Sequence, residues 1–305
     1  MLHPHRGVDA VVAEAQRADA QGFDSMWLGD HLTYPAAEAR PNGPLDTFTL
    51  MTALGAVTSR IRLAWSTLNP AFRRPVVTAK MLASLDQITK GRVIFSFGAG
   101  WNKAEYEAYD VPFIEDHDQR ILYAREVARL FKQAWTHPAP DVIDFDGQFI
   151  KTRGLAFNPA PYQSPHPPIW VGGESDLTLE TVREIGDGWV LLTAGGLDRI
   201  REMTSRADWP KRPMDVVKNV RIHVAETRDA AIAEAKIVFD HGGRYFPKTL
   251  DEFVAKEAVG TVEDCLRHIE TMRGVGVNYL RVEFLNDAHQ DQAARLLLPA
   301  LAELT

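Results

Sequence analysis

The passage Arg92-Val-Ile-Phe-Ser-Phe-Gly-Ala-Gly-Trp-Asn102 constrains this chain more than any other. A β-branched and aromatic run ends in Gly98-Ala99-Gly100 and gives way to a polar, aromatic stretch instead of a hairpin turn. Near-continuous apolar runs mark strands buried on both faces, which occur in parallel sheets covered by helices. Glycines at the end of such a strand let a flat ligand approach the backbone without intervening Cβ atoms.

The grammar recurs. Short apolar runs at Ser25–Gly29, Ile61–Ser66, Val93–Phe97, Ile169–Gly172, Trp189–Leu192, Val217–Ala225 and Tyr279–Leu285 read as strands. Between them lie helical patterns at Val8–Ala20, Phe48–Thr58, Val76–Thr89, Gln119–Trp135, Leu177–Ile185, Leu197–Arg206, Arg228–Asp240, Val262–Arg273 and Gln290–Leu301. Alternation of this kind predicts an α/β fold with parallel strands and crossover helices. Asp46 and Thr47, Pro75 and Asp176 mark helix starts, and Gly22, Gly91 and Gly274 mark ends. The 305 residues suit one large barrel. We expect a single domain over residues 1–305 with insertions at about 103–117, 136–167 and 241–260, placed at the catalytic face, where 103–117 and 136–167 would set substrate choice. Asp144–Ile150 reads as a hairpin within the second, Pro-rich insertion. Seven strands leave an eight-stranded (β/α)8 barrel one short, so a first strand ahead of Val8 is expected to have been lost. A partner chain is the expected cover for the edges this would leave.

A net charge of −7 offers no electrostatic footprint for nucleic acid or an anionic membrane. No apolar run reaches the roughly 18 residues of a membrane span, and the N-terminus lacks the apolar core of a signal peptide. Cys265 is the sole cysteine, so no internal disulfide forms and a reducing cytoplasm is expected.

In a β/α barrel the chemistry sits at the C-terminal strand ends. Those ends here are Gly29-Asp30-His31, Ser66-Thr67-Leu68-Asn69, Gly98 to Asn102, Gly172-Gly173-Glu174-Ser175 and Thr193-Ala194-Gly195-Gly196. His31 is the candidate proton carrier, because it follows a strand and histidine is the side chain most often used for proton transfer. Asp30 either orients it or caps the turn. The last two ends open into helices, whose free N-terminal amides favour an anion; Ser175 and Thr193 would add hydroxyl donors. Trp65 and Trp101 are candidate walls for an aromatic ligand, with Glu105, Tyr106 and Tyr109 shaping the pocket. Glu115-Asp116-His117-Asp118 precedes a helix, where acidic residues answer the dipole, and no metal site is expected.

On four passages the chain resembles the bacterial luciferase-like family of flavin- and deazaflavin-dependent oxidoreductases, a TIM-barrel family. They are Gly22-Phe-Asp-Ser-Met-Trp-Leu-Gly-Asp-His31, Arg60 through Pro75, Leu85 to Arg92 leading into Gly98-Ala-Gly-Trp-Asn102, and Pro167 to Gly173 followed by Gly186-Asp-Gly-Trp189. The resemblance implies a first strand before the first helix. It places the cofactor ring on a bulge at Ser66-Thr67, often a non-prolyl cis peptide in the family. Gly98, Gly100 and Asn102 would line the ring, Gly172, Gly173 and Thr193 would hold the phosphate, and His31 matches the active-site histidine. Deazaflavin-dependent sugar-phosphate dehydrogenases resemble this chain but carry an acid where it has Trp101, which argues against sugar oxidation. The leading expectation is a monooxygenase using reduced FMN from a separate reductase, with molecular oxygen and a small organic substrate. No Gly-x-Gly-x-x-Gly fingerprint for its own nicotinamide site accompanies it. Hydride transfer with coenzyme F420 is the first alternative and a non-catalytic flavin-binding protein the second. The family also implies a homodimer.

Overall fold

A computed structural model describes residues 7–34, 43–191, 196–241, 247–284 and 286–303. The chain divides into two compact units, Leu2–Asp19 with Asp24–Val190, and Ala20–Phe23 with Leu191–Thr305 and Met1.

The first unit runs α1 (Val8–Gln21), β1 (Ser25–Leu28), α2 (Thr47–Val57), β2 (Arg62–Trp65), α3 (Pro75–Thr89), β3 (Val93–Phe97), α4 (Lys103–Ala108) and α5 (His117–Thr136). It continues through β4 (Ile143–Asp146), β5 (Lys151–Leu155), β6 (Ile169–Gly172), α6 (Asp176–Ile185) and β7 (Gly188–Leu191). Strands β1, β2, β3, β6 and β7 pair side by side, all parallel. The β3 run is buried at every residue, as its unbroken apolar sequence predicted. Trp27, Trp65, Trp135, Trp170 and Trp189 are all fully buried or nearly so, so these five indoles fill the packing layers. Burying each contributes on the order of 2–3 kcal/mol.

The expected helix signals act. Asp46 Oδ1 accepts the Thr49 amide at 2.9 Å, and Pro75 opens α3. Lys90 takes the left-handed conformation at the end of α3, ahead of Gly91. One cap differs: Ser175 Oγ, not Asp176, accepts the Thr178 amide of α6. Two short helices, α4 and the later α9, escaped the periodicity reading, because six or seven residues make too few turns to show a period.

The Pro-rich insertion follows a helix and precedes a strand, so it begins and ends on the face opposite the strand mouths. Its hairpin, β4 with β5, is antiparallel. The turn hangs on α5: buried Glu126 accepts the amides of Gln148, Phe149 and Ile150 at 2.8, 2.9 and 2.6 Å. The return strap is tied below β3, where Gln163 donates to Asp86 and to the Val93 carbonyl, each at 2.8 Å. The expectation that this insertion lies at the catalytic face is therefore corrected. It is fastened to α3 and α5, whereas residues 103–117 do follow a strand mouth.

The second unit comprises α7 (Leu197–Thr204), β8 (Asp215–Val224), α8 (Arg228–Asp240), α9 (Leu250–Lys256), β9 (Ala258–Gly260), α10 (Val262–Arg273), β10 (Tyr279–Glu283), α11 (Asp287–Leu296) and α12 (Leu298–Ala302). Both β9 and β10 pair parallel to β8. With β9 the described residues hold eight parallel strands where the sequence reading counted seven; three residues were too few to register. The third insertion thus carries α9 and β9. Cys265 is buried on α10, where burial pushes its thiol up to about 12, consistent with an inert packing residue. No described helix is long and apolar enough to cross a membrane.

Asp19 pins the C-terminal end of α1 to the turn before β2. Its carboxylate accepts the amides of Ser59, Arg60 and Ile61 and the Ser59 hydroxyl, at 2.8, 2.9, 2.7 and 3.0 Å. Burial opposes the charge, but these donors hold the Asp19 carboxyl down to about 2. An unfolded aspartate titrates near 3.9, so this group stabilises the fold above about pH 4 and loses that contribution as pH falls through about 2. Asp19→Asn is expected to cost about 1–3 kcal/mol at neutral pH. In denaturant melts it should also flatten the stability profile between about pH 4 and pH 2; a parallel profile would refute the assignment.

Candidate functional site at the strand mouths

Parallel register sets the site. Leu28 pairs with Trp65, Leu68 bridges to Phe97, Phe97 pairs with Val171, and Gly172 with Val190. The mouths of β1, β2, β3 and β6 therefore stand side by side. Buried residues at the strand ends give way above to half-buried Ser66, Thr67, Gly98, Gly100, Asn102, Gly172, Gly173 and Ser175. The Ser66–Thr67 peptide is cis, where the family resemblance placed one.

His31 leaves the β1 mouth with its side chain 27% exposed. Its Nδ1 lies 3.2 Å from Glu105 Oε2. Glu105 is only 2% exposed, and its Oε1 accepts the amides of Leu32 and Thr33, the latter at 3.1 Å. A carboxylate with this donor set acts as acceptor only. His31 Nδ1 is therefore the donor of this pair, and Nε2 lies on the edge of the ring away from Glu105. Trp101, 65% exposed, stands edge-on to the imidazole with centroids 6.5 Å apart.

Asp30 does not orient His31, which corrects the expected pairing. It is 4% exposed and accepts from the Thr47 hydroxyl at 2.6 Å, the Asn69 amide at 2.9 Å and the Arg73 guanidinium at 2.8 and 3.1 Å. Burial works against charge on Arg73, but Asp30 and then Asp46 hold its guanidinium above the ordinary range. Asp30 is a tie between the β1 and β2 mouths. Nothing in the sequence separates Glu105 from exposed Glu107 two residues on; only the docking of α4 buries one and not the other.

The glycines also serve a purpose other than the one expected. A Cβ on Gly98 would lie 2.5 Å from Thr67 Oγ1, and one on Gly172 would lie 2.7 Å from Thr67 Cγ2. The two glycines form a notch that seats the Thr67 side chain between β3 and β6. At Gly100, with φ of 72°, a Cβ would meet Tyr106 Oη at 2.1 Å. Tyr106 is buried and bonded through Oη to Asn69, with Phe72 and Phe113 edge-on to its ring. Burial pushes its phenol up to about 12, despite the Asn69 contact, so it stays neutral. Tyr106 thus buttresses the pocket from behind. Trp65 is fully buried against Phe48 and belongs to the core, not to a pocket wall.

Of the expected anion-binding set, Ser175 is the helix cap, with Thr178 Oγ1 also 2.9 Å from its hydroxyl. The Gly173 amide donates to Val190 and its carbonyl accepts the Trp189 indole N–H at 2.7 Å. Thr193 lies outside the described residues. Asn102 occupies the N-cap of α4 without a side-chain cap bond. Asp116 caps α5 through the Gln119 amide and Glu115 pairs with Lys103, as a helix start requires.

Gly172→Ala is expected to cost about 1–3 kcal/mol through overpacking against Thr67. Adding Thr67→Ser removes the offending methyl and should recover at least about 0.5 kcal/mol in a double-mutant cycle. Additive melting shifts would show that the notch does not seat this side chain.

The luciferase-like monooxygenase profile matches residues 1–279. An FMNH(2)-dependent dimethylsulfone monooxygenase of Pseudomonas putida is 24% identical, over 95% of this chain and 87% of its own length. A 5,10-methylenetetrahydromethanopterin reductase of Methanopyrus kandleri is 27% identical over 72% of this chain and 64% of its own. Among solved structures, the monooxygenase RslO1 from Streptomyces bottropensis superposes with a TM-score of 0.79 at 21% identity, covering 98% of this chain and 97% of that one. That likeness is to luciferase-like TIM-barrel enzymes, the fold class that strand–helix alternation and the family resemblance predicted. The chain belongs to the luciferase-like monooxygenase family, whose members are oxidoreductases.

Proposed function

We propose that this protein, a luciferase-like domain over residues 1–305, is a monooxygenase. It would use reduced FMN from a separate reductase and molecular oxygen to oxygenate a small organic substrate. The observation that carries the reading is His31 held at Nδ1 by buried Glu105, its ring partly exposed beside Trp101. The fit to a flavin rests on the half-buried, small-residue platform of Ser66, Thr67, Gly98, Gly100 and Gly172, flanked by an imidazole and an indole. Asn102 would lie along the cofactor's chain, and Gly172, Gly173 and Ser175 near its phosphate, at the N-terminal end of α6; the family resemblance adds Thr193 to the phosphate set. The monooxygenase relative matches along nearly the whole chain and the reductase relative along less of it, which favours reduced flavin over coenzyme F420. We place the protein in the cytoplasm on its single cysteine, and read it as a homodimer on the family resemblance.

Reduced flavin, when bound, supplies the electrons that activate oxygen. The protein's own contribution is positional. Glu105 fixes the tautomer, so that Nε2 of His31 takes or returns the proton that accompanies oxygen insertion. Trp101 and residues 103–117 shield the reacting face from water, which limits wasteful release of peroxide. Asp30, Arg73 and Asn69 keep the first two mouths at fixed spacing.

Anaerobic fluorescence titration with reduced FMN and with coenzyme F420 is expected to give tighter binding of FMN. F420 binding alone, without oxygen uptake, would transfer the assignment to hydride transfer; binding of neither would end the reading. His31→Ala and Glu105→Gln should leave flavin affinity within about threefold while lowering coupled product formation by about 10²–10⁴-fold. Oxygen uptake should then appear as hydrogen peroxide. Unchanged coupling in both variants would remove the pair from the mechanism.

A further inference from the structure

The second unit contains a cluster that the flavin reading does not use. His223 on β8, Glu234 on α8 and His289 on α11 each direct one ligand-type atom toward a common point, all within 4.8 Å of one another. His223 is 2% exposed, and among the described residues neither of its ring nitrogens has a hydrogen-bond partner. His289 is 9% exposed, with Nε2 3.5 Å from Glu234 Oε2 and Nδ1 unpartnered among the described residues. The two imidazoles meet edge to face, with centroids 5.6 Å apart and planes at 85°.

This arrangement is costly as it stands. A buried polar group without a partner costs about 1–3 kcal/mol, and an imidazole carries two. Apolar packing does not explain the histidine, because Phe253 and the neighbouring alanines offer only hydrocarbon on that side. Neutral imidazole is the form that ligates metals.

We propose that His223, Glu234 and His289 form a binding site for a divalent first-row transition ion, zinc by its ligand chemistry. Two imidazole nitrogens and one carboxylate oxygen give a mixed N/O set that suits zinc, leaving a fourth position for water. Ligand atoms about 2.1 Å from one tetrahedral ion stand about 3.4 Å apart. The His289–Glu234 pair, at 3.5 Å, already stands at that spacing. The ion clips α8 and α11 onto β8, alongside the Gln292 contact to the Val224 carbonyl at 2.6 Å. The expectation of no metal site came from looking at local spacing, and these three residues come from three separate elements.

Tag-free, chelator-treated protein titrated with zinc by calorimetry should show one-to-one binding and a rise in Tm on saturation. His289→Ala should abolish the one-to-one isotherm, and Glu234→Gln, at a partly exposed position, should weaken it about tenfold or more. Circular dichroism checks that both remain folded, and should either unfold, the other decides. No one-to-one binding in the unmodified chain overturns the proposal and leaves a bridging water as the partner of His223. Affinity unchanged in the folded variants also overturns it, because the zinc would then sit on other surface histidines.

Discussion

The candidate site depends on one buried carboxylate. Glu105 projects from a six-residue helix into the space beneath the β1 mouth and satisfies Leu32, Thr33 and His31 at once. A charge so enclosed persists only with several donors around it, so the loop after β1 and the helix after β3 hold each other in place. Placing His31 is a by-product of satisfying the acid. The same logic governs Asp30, which draws Thr47, Asn69 and Arg73 together. Two acids, each short of solvent, button three strand mouths into one frame.

Steric fit completes what the acids begin. Thr67 occupies the notch left by Gly98 and Gly172, and the Asn69–Tyr106 pair fills the space that a side chain on Gly100 would take. The glycine-rich endings therefore have a packing cause before any ligand is considered. Small residues at these places still leave backbone half exposed at the mouths, so one feature serves both the closure of the sheet and access to it.

Much of the fold was legible because burial on both faces of a parallel sheet imposes a composition that local inspection detects. Strands β3 and β6 and helices α8 and α10 begin and end where apolar runs and caps placed them. Short elements escaped, since α4, α9 and β9 repeat their period too few times to be recognised. His31, Ser66, Thr67, Gly98, Gly100 and Gly172 stand at the strand mouths, where their address in the sequence put them. Their duties were not found, because an address does not state which neighbour a side chain meets. Trp65 and Asp30 were assigned to the pocket and chemistry, yet packing put one in the core and the other in a structural tie. The 136–167 insertion was placed at the wrong face for a similar reason: its tethers to Asp86 and Glu126 span long stretches of chain.

The amino-acid sequence by itself determined the alternation of strands and helices, the strand mouths as the candidate place of chemistry and the family to which the chain belongs. These follow from local periodicity, chain connectivity and short motifs. The tertiary structure alone decided which acid holds His31, why three glycines cannot carry a side chain and which two histidines and glutamate meet across β8, α8 and α11. Each of these is a contact between residues distant in sequence, fixed by burial and by the need to satisfy every polar group taken out of water.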